Sequence, residues 1–306
     1  MTTPAIRAVK CSRPGRHVTL LSAGPGAAVA RLVPEIDEVI VYDAPWMKAT
    51  PPRSDGRPEY EMADRLRAGR YDAAIVFTVY SQSPLPAALL CYLAGIPLRL
   101  AHCRENPYQL LTDWVPETEP ESGTRHEVRR QLDLAAAVGY RAEVEGLSVA
   151  VPPGAQERVR EILAEAEVDP GRPWLVMHPG ASAPSRRYPP RSFARAARSL
   201  VRDHSFQVVW TGTGAEEDLV TGIRAMVGEP TVSLVGRLDL GELAALLSLA
   251  PLLISNNSGP VHLAAAVGTP VVDLYALTNP QHTPWVVPHR VLYHDVPCKY
   301  CYKSVC

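Results

Sequence analysis

Short apolar runs that alternate with helical stretches constrain this chain more than any other feature. HVTLLS (17–22), EVIVYD (38–43), YDAAIVFT (71–78) and IPLRLA (96–101) read as strands, and EMADRLRAG (61–69) and PLPAALLCYLAG (84–95) as helices between them. The runs are apolar on both faces, the pattern of parallel strands covered by helices on each side. A second series is cleaner. WLVMH (174–178) precedes the helix SFARAARSLVRD (192–203), and QVVWTG (207–212) precedes a helix through 216–227. TVSLVG (231–236) precedes LGELAALLSLA (240–250); LLIS (252–255) precedes PVHLAAAV (260–267) and the strand PVVDLY (270–275). The predicted fold is α/β, with two successive doubly wound domains at 1–150 and 151–306. Ligands of such sheets lie beyond the strand carboxyl ends.

Two stretches break the rhythm. Residues 102–125 are rich in Pro, Glu and Thr and read as a long loop before the helix RHEVRRQLDLAAAVG (125–139). Residues 140–156 are irregular, and the Pro-Pro-Gly at 152–154 marks the domain boundary. The chain opens with a helix, Thr3 to Lys10, where a doubly wound domain usually opens with its central strand. A slot lined by unpaired backbone groups is costly. The expectation is a polypeptide that starts upstream of Met1, and the tail VPCKYCYKSVC, with no closing element, raises the same expectation at the other end.

Composition narrows the function. A net charge of −1 argues against a generic nucleic-acid binder. No run of about 18 apolar residues is present, and MTTPAIRAVK lacks the apolar core of a secretion signal. A cytoplasmic location is expected, with at most peripheral contact with the inner membrane. The only lysines are Lys10, Lys48, Lys299 and Lys303, so anion recognition falls to arginine. Six cysteines are too few for a disulfide scaffold. Cys298, Cys301 and Cys306 offer three thiols, with His294 as a fourth metal ligand; reduced thiols and no metal are the expected state.

Three motifs carry chemistry. In ISNNSGPVHLAAAVGTPVVDLY (254–275) a strand ends in small polar residues, Gly259 allows a tight turn, Ser258 caps the helix and Pro260 suits its first turn. The N–H groups and dipole at that helix start attract phosphate, with Asn257, Ser258 and His262 around the anion. In HPGASAPSRRYPPRSF (178–193) a strand ending at His178 empties into a loop through Gly180 and Ser182, where the small residues permit close approach. Arg186 and Arg187 then fork onto a diphosphate or form a solvated pair. In WTGTGAEEDL (210–219), Gly212 and Gly214 form an incomplete dinucleotide fingerprint. Glu216 and Glu217 either cap the next helix or hold ribose hydroxyls.

The ordered set HPGAS…RRYP, TGTGAEE, SNNSGPVHLAAAVGTPVV and YALTNPQHTPW resembles glycosyltransferase family 9, the ADP-heptose:lipopolysaccharide heptosyltransferases and their relatives. The likeness is strong over about 170–300 and weaker through 17–45. It implies the GT-B fold: two facing Rossmann-like domains, with the donor bound mainly to the second and the acceptor to the first. It implies that Gly180–Ser182 and Arg186 neutralise the donor diphosphate, a place where a family lysine often stands. It implies that Glu216 or Glu217 holds the ribose, and that Ser258, Gly259 and the helix from Pro260 cradle phosphate beside His262. Arg186 and His262 are the expected catalytic groups. His178, Gly212, Gly214, Arg187 and Asn257 complete the donor set. Several relatives have Asp at the position of Asn257. Family members also begin with a strand ending in Gly-Asp, whose Asp is the general base, followed by a helix resembling MTTPAIRAVK. This chain begins just after that pair.

The expected function is inverting transfer of a heptose-like sugar, without cofactor, from a nucleotide diphosphate donor to a cell-envelope glycan or glycolipid. A nucleotide-sugar epimerase and a non-catalytic sugar-nucleotide-binding remnant are the alternatives. Smaller features have structural readings. Arg125 and His126 read as solvated helix-start groups. Trp114, Trp285 and Tyr108 read as packing residues in loops, and 84–95 as a helix buried against its sheet.

Overall fold

The computed structural model describes residues 1–47, 50–303 and 305. Cys306 of the cysteine tail lies outside the described residues. Two compact units form: Met1–Arg31 with Glu35–Val144, and Leu32–Pro34 with Glu145–Cys306.

The first unit runs α1 (Thr3–Cys11), β1 (Thr19–Ser22), α2 (Gly24–Ala30), β2 (Glu38–Val41), α3 (Arg57–Ala68), β3 (Ala73–Val76), α4 (Leu85–Leu93), β4 (Leu98–Cys103), β5 (Asp113–Pro116) and α5 (Glu127–Ala137). All strand pairs are parallel, in two separate sheets, β1-β2 and β3-β4-β5. Ile40 and Tyr42 form a core with Met62, Leu66, Leu90 and Ile96. The expectation of strands covered on both faces fails for β1 and β3, where no residue is fully buried. Each has one edge that pairs with no strand among the described residues, so its side chains lack a neighbour there. A second correction concerns 102–125, which is not all loop. Asp113–Pro116 pairs with β4 as an edge strand, and its proline sits at the last position, where no further ladder bond is needed. Trp114 therefore lies in a strand, with its indole N–H on the Cys103 carbonyl at 2.8 Å. Burial of α4 covers one face only: Ala88, Leu90 and Cys91 are buried, but Leu89, Tyr92 and Leu93 are exposed.

The second unit runs α6 (Ala155–Glu165), β6 (Trp174–His178), α7 (Pro190–His204), β7 (Gln207–Trp210), α8 (Glu217–Val227), β8 (Val232–Ser233), α9 (Leu240–Leu249), β9 (Leu253–Asn256), α10 (Gly259–Val267), β10 (Val271–Leu274) and β11 (His289–Leu292). Its sheet is parallel throughout, in the order β11-β10-β9-β6-β7-β8. Alternation decides its two cores. Val176, Val209 and Leu253 face α6, α9 and α10, while Leu175, Met177, Val208 and Trp210 face α7 and α8. Each of these side chains is fully buried, and each contributes about 1.5–3 kcal/mol. α9 opens with a reciprocal cap: Asp239 accepts the Glu242 N–H at 2.7 Å and Glu242 accepts the Asp239 N–H at 2.9 Å. The strand order reverses between β6 and β9, which places a crevice at their carboxyl ends.

No helix among the described residues is long and apolar enough to cross a membrane.

Candidate functional site

The carboxyl ends of β6, β7, β9 and β10 bring the sequence motifs together. His178 ends β6 almost fully buried, with Nδ1 3.1 Å from the Thr211 hydroxyl after β7. Burial holds its pKa below the ordinary value, against the pull of the Glu216 carboxylate. Glu216 reaches back to accept the Thr213 N–H at 2.7 Å and the Thr213 hydroxyl at 3.1 Å, the cap predicted as its plainer role. In doing so its carboxylate lies against Gly180, where any Cβ would collide with it, and beside Gly212. Glu217 is exposed and turned the other way, toward Thr221 one turn on. Gly214 opens the short 3-10 turn that leads into α8. The ribose alternative therefore narrows to Glu216.

Asn256 ties the remaining loops together. Fully buried at the end of β9, it donates to the Pro179 carbonyl at 2.6 Å and accepts the Tyr188 N–H at 2.9 Å. The whole 179–188 loop is thereby hung on β9. Sequence reasoning selected its neighbour Asn257 instead. Strand alternation turns Asn257 inward, where its amide donates to Asp273 at 2.8 Å and to the His282 carbonyl at 2.7 Å. Two adjacent asparagines were the available signal, but only the register separates their jobs.

Ser258 also differs from expectation. It occupies the N-cap position of α10 in an extended conformation, but its hydroxyl donates to the Asn256 carbonyl at 3.1 Å and does not cap the helix. The start at Gly259 and Pro260 thus carries no side-chain cap, and its dipole points at the loop junction. His262 lies in the first turn, half-buried.

The two arginines part. Arg187 braces the loop through Nε on the Ala181 carbonyl at 2.8 Å. Arg186 is half-buried at the end of a 3-10 turn, and its guanidinium makes no hydrogen bond or ion pair among the described residues. Its charge opposes the effect of burial on Asp273 in β10 and on Tyr275 just after it. Ser182, four residues earlier, is exposed. The C-terminal tail joins here unannounced by the sequence: Ser185 donates to the Lys303 carbonyl at 2.9 Å. Cys298 and Cys301 are free thiols, and no group of three metal-ligating side chains occurs among the described residues.

Asp273 is the titratable group that sequence reasoning missed. Fully buried, its carboxyl is pushed up to about 7 by desolvation, with Asn257 and Arg186 opposing. In the native state it keeps a proton that the unfolded chain, with a pKa near 3.8, has lost. Stability attributable to this group therefore falls as pH rises from about 4 to about 7 and then levels off. Asp273→Asn is expected to remove that decline and to raise Tm at pH 8 more than at pH 5. Calorimetric scans at the two pH values check it; parallel shifts would refute the assignment.

The smaller expectations resolve within single units. His126 sits at the N-cap of α5, its Nδ1 accepting the Val128 N–H at 3.2 Å. Arg125 pairs with Glu119 at 2.6 Å and Asp133 at 2.8 Å. Trp285 donates to the Glu145 carbonyl at 2.7 Å, and Tyr108 is exposed.

The family model for glycosyltransferase family 9 (heptosyltransferase) matches residues 60–306. The chain is 28% identical over 245 residues to lipooligosaccharide heptosyltransferase 2 of Haemophilus influenzae, covering 75% of this chain and 68% of that protein. The glycosyl transferase family 9 structure from Veillonella parvula superposes with a TM-score of 0.79 at 23% identity, covering 96% of this chain and 81% of that one. The Escherichia coli ADP-heptose lipopolysaccharide heptosyltransferase II structure gives 0.73 at 23% identity, covering 97% and 87%. The fold is that of the GT-B glycosyltransferases.

Proposed function

The chain belongs to glycosyltransferase family 9 and is a glycosyltransferase, and from that premise we propose that it moves a heptose-like sugar from an ADP-sugar to a cell-envelope glycan or glycolipid, inverting the anomeric centre. The donor assignment draws on relatives named as heptosyltransferases. The observation that carries the reading is Arg186, a guanidinium with no bond of its own among the described residues, set at the same strand ends as the uncapped start of α10.

In the transfer, the acceptor oxygen bonds to the anomeric carbon as that carbon's bond to the β-phosphate oxygen breaks. The electron pair of the broken bond goes to the diphosphate. Arg186 and the α10 dipole meet that growing charge, a role worth roughly 2.7–4 kcal/mol for a well-placed donor. Glu216, already fixed by Thr213, presents its carboxylate next to Gly180, where ribose hydroxyls can donate to it. The proton of the attacking hydroxyl passes to a base or to solvent water as the bond forms; no residue of the second unit is assigned as that base. The reaction is placed in the cytoplasm, with at most peripheral contact with the inner membrane.

The test is incubation with an ADP-heptose and a truncated lipopolysaccharide-core acceptor, followed by mass spectrometry and NMR of the new linkage. The expected result is an acceptor heavier by one heptose, with an inverted anomeric centre. Release of an altered sugar nucleotide from donor alone would favour an epimerase and overturn the reading.

A further inference from the structure

Asn257 and Asp273 form a buried polar pair that the transfer chemistry above leaves unused. Strand alternation puts both on one face of the second sheet. Leu253, Ser255 and Asn257 follow one another along β9 and just past it, and Val271 and Asp273 lie in register beside Leu253 and Ser255 on β10. The residue after Asn257 is Ser258, at the N-cap position of α10.

Their hydrogen bonds are short of one proton. Both side chains are fully buried. Asn257 Nδ2 donates to Asp273 Oδ2 at 2.8 Å and to the His282 carbonyl at 2.7 Å, and these two acceptors fix which end of the amide is nitrogen. Asn257 Oδ1 and Asp273 Oδ1 have no hydrogen-bond partner among the described residues. Two orphaned acceptors are a costly arrangement in an interior. A carboxylic O–H on Asp273, given to Asn257 Oδ1, removes both deficits at once, because acid and amide then each donate and accept. Burial favours the same proton independently, raising the carboxyl to about 7.

The proton also sets the charge near the anion pocket. Arg186 is the charged group that acts on Asp273 among the described residues, and its guanidinium makes no bond of its own there. The register neighbours of Asp273 on the flanking strands are Ser255 and Val291, neither of which titrates. Tyr275, just past β10, is kept neutral by burial. His282 turns its backbone carbonyl to Asn257, and His262 stands in the first turn of α10. With Asp273 neutral, the Arg186 charge is left for an anion. With Asp273 ionised, a negative charge near the end of β10 offsets Arg186 and repels a diphosphate.

We infer that Asp273 is a positioning residue for diphosphate binding that acts in its acid form, through a proton shared with Asn257 and through the charge of Arg186. That the anion is a donor diphosphate rests on the transferase reading; the coupling of proton and anion holds whichever reaction follows.

The coupling is reciprocal, so an anion that prefers the neutral form tightens the hold on its proton. A difference of about tenfold in ADP affinity between the two forms raises the carboxyl pKa by about one unit in the complex. Near pH 7.5 the chain then takes up about half a proton for each ADP bound.

Calorimetric titration with ADP at pH 7.5, in two buffers of different ionisation enthalpy, counts that proton. The phosphate of ADP only loses a proton on meeting cations, so net uptake comes from the protein. Asp273→Asn separates Asp273 from His262: it retains His262, and its amide N–H replaces the acid O–H on Asn257. The uptake is expected in the parent and not in Asp273→Asn. Between pH 6 and pH 8.5 the parent should lose ADP affinity about tenfold relative to the variant. Carbon-13 NMR of aspartate-labelled parent needs no variant: one carboxyl should titrate near neutrality, and at higher pH once ADP is bound. Equal proton counts in the two chains, a shared pH dependence, no carboxyl that titrates near neutrality, or no ADP binding at any pH would overturn the inference. Sugar transfer with ADP binding unlinked to Asp273 would overturn it and leave the transferase reading standing. Proton-linked ADP binding with no transfer to any acceptor would support it and count against that reading instead.

Discussion

Arg186→Ala is expected to lower kcat/KM for sugar transfer by roughly 10²–10³-fold, the range for removing one preorganised donor to a developing anion. The guanidinium is half-buried and makes no hydrogen bond or ion pair among the described residues. The fold therefore loses little when it goes, and the variant should unfold within about 0.5 kcal/mol of the parent. The loss should fall mainly on kcat, because charge on the departing diphosphate is larger in the transition state than in the bound donor. Arg186→Lys keeps the charge but not the planar fork, so it should recover only part of the activity. Steady-state kinetics over a range of donor concentrations separates these effects. A change confined to donor KM would assign Arg186 to ground-state binding alone.

The second large effect lies in the other unit. Arg130→Ala is expected to cost about 3–5 kcal/mol of stability, the usual consequence of leaving one partner of a buried ion pair behind. Arg130 is 1% exposed; its Nε lies 2.8 Å from Glu117 Oε2, Nη2 shares that oxygen, and Nη1 reaches the Thr78 carbonyl and Glu127. Burial works against the Glu117 carboxylate, but the Glu119 N–H and the Arg130 guanidinium together hold its pKa below the ordinary value. The stability this supplies is present above about pH 4.5 and is lost as pH falls through the lowered pKa. In Arg130→Ala that acid-side loss should move to higher pH. Replacing both partners, Arg130→Met with Glu117→Leu, should restore part of the stability, because the Glu117 charge goes with its partner while the buried Glu127 carboxylate still loses its cation. Urea unfolding at pH 7 measures all three chains; a double variant as unstable as the single one would contradict the ion-pair account.

Legibility of the sequence followed side-chain burial. β6, β7, β9 and β10 were readable because successive residues such as Leu175, Val176 and Met177 feed opposite cores, which makes an uninterrupted apolar run. β11 was missed because it is a short, largely exposed edge strand with little apolar pattern. α2 was missed because GPGAAVA is all small residues apart from Pro25 and Val29, and glycine and proline normally signal a turn. α6 follows the Pro-Pro-Gly and was hidden by the irregular text before it.

At the site, the motif residues were visible but their pairings were not. Glu216 meets Gly180 from 36 residues away, and Asn256 meets Pro179 and Tyr188 across the sheet; neither pairing is local in sequence. Asp273 looked like an ordinary strand residue until burial beside Asn257 gave it an unusual proton affinity. The Ser258 hydroxyl expected to cap the helix donates instead to the Asn256 carbonyl.

A calorimetric titration of the unmodified chain with ADP and, separately, with adenosine addresses the pyrophosphate pocket most directly. ADP should bind at least tenfold more tightly than adenosine, and the difference should shrink with added salt as the Arg186 and helix-start attraction is screened. Equal affinities for the two, or an ADP affinity indifferent to Arg186→Ala, would contradict it.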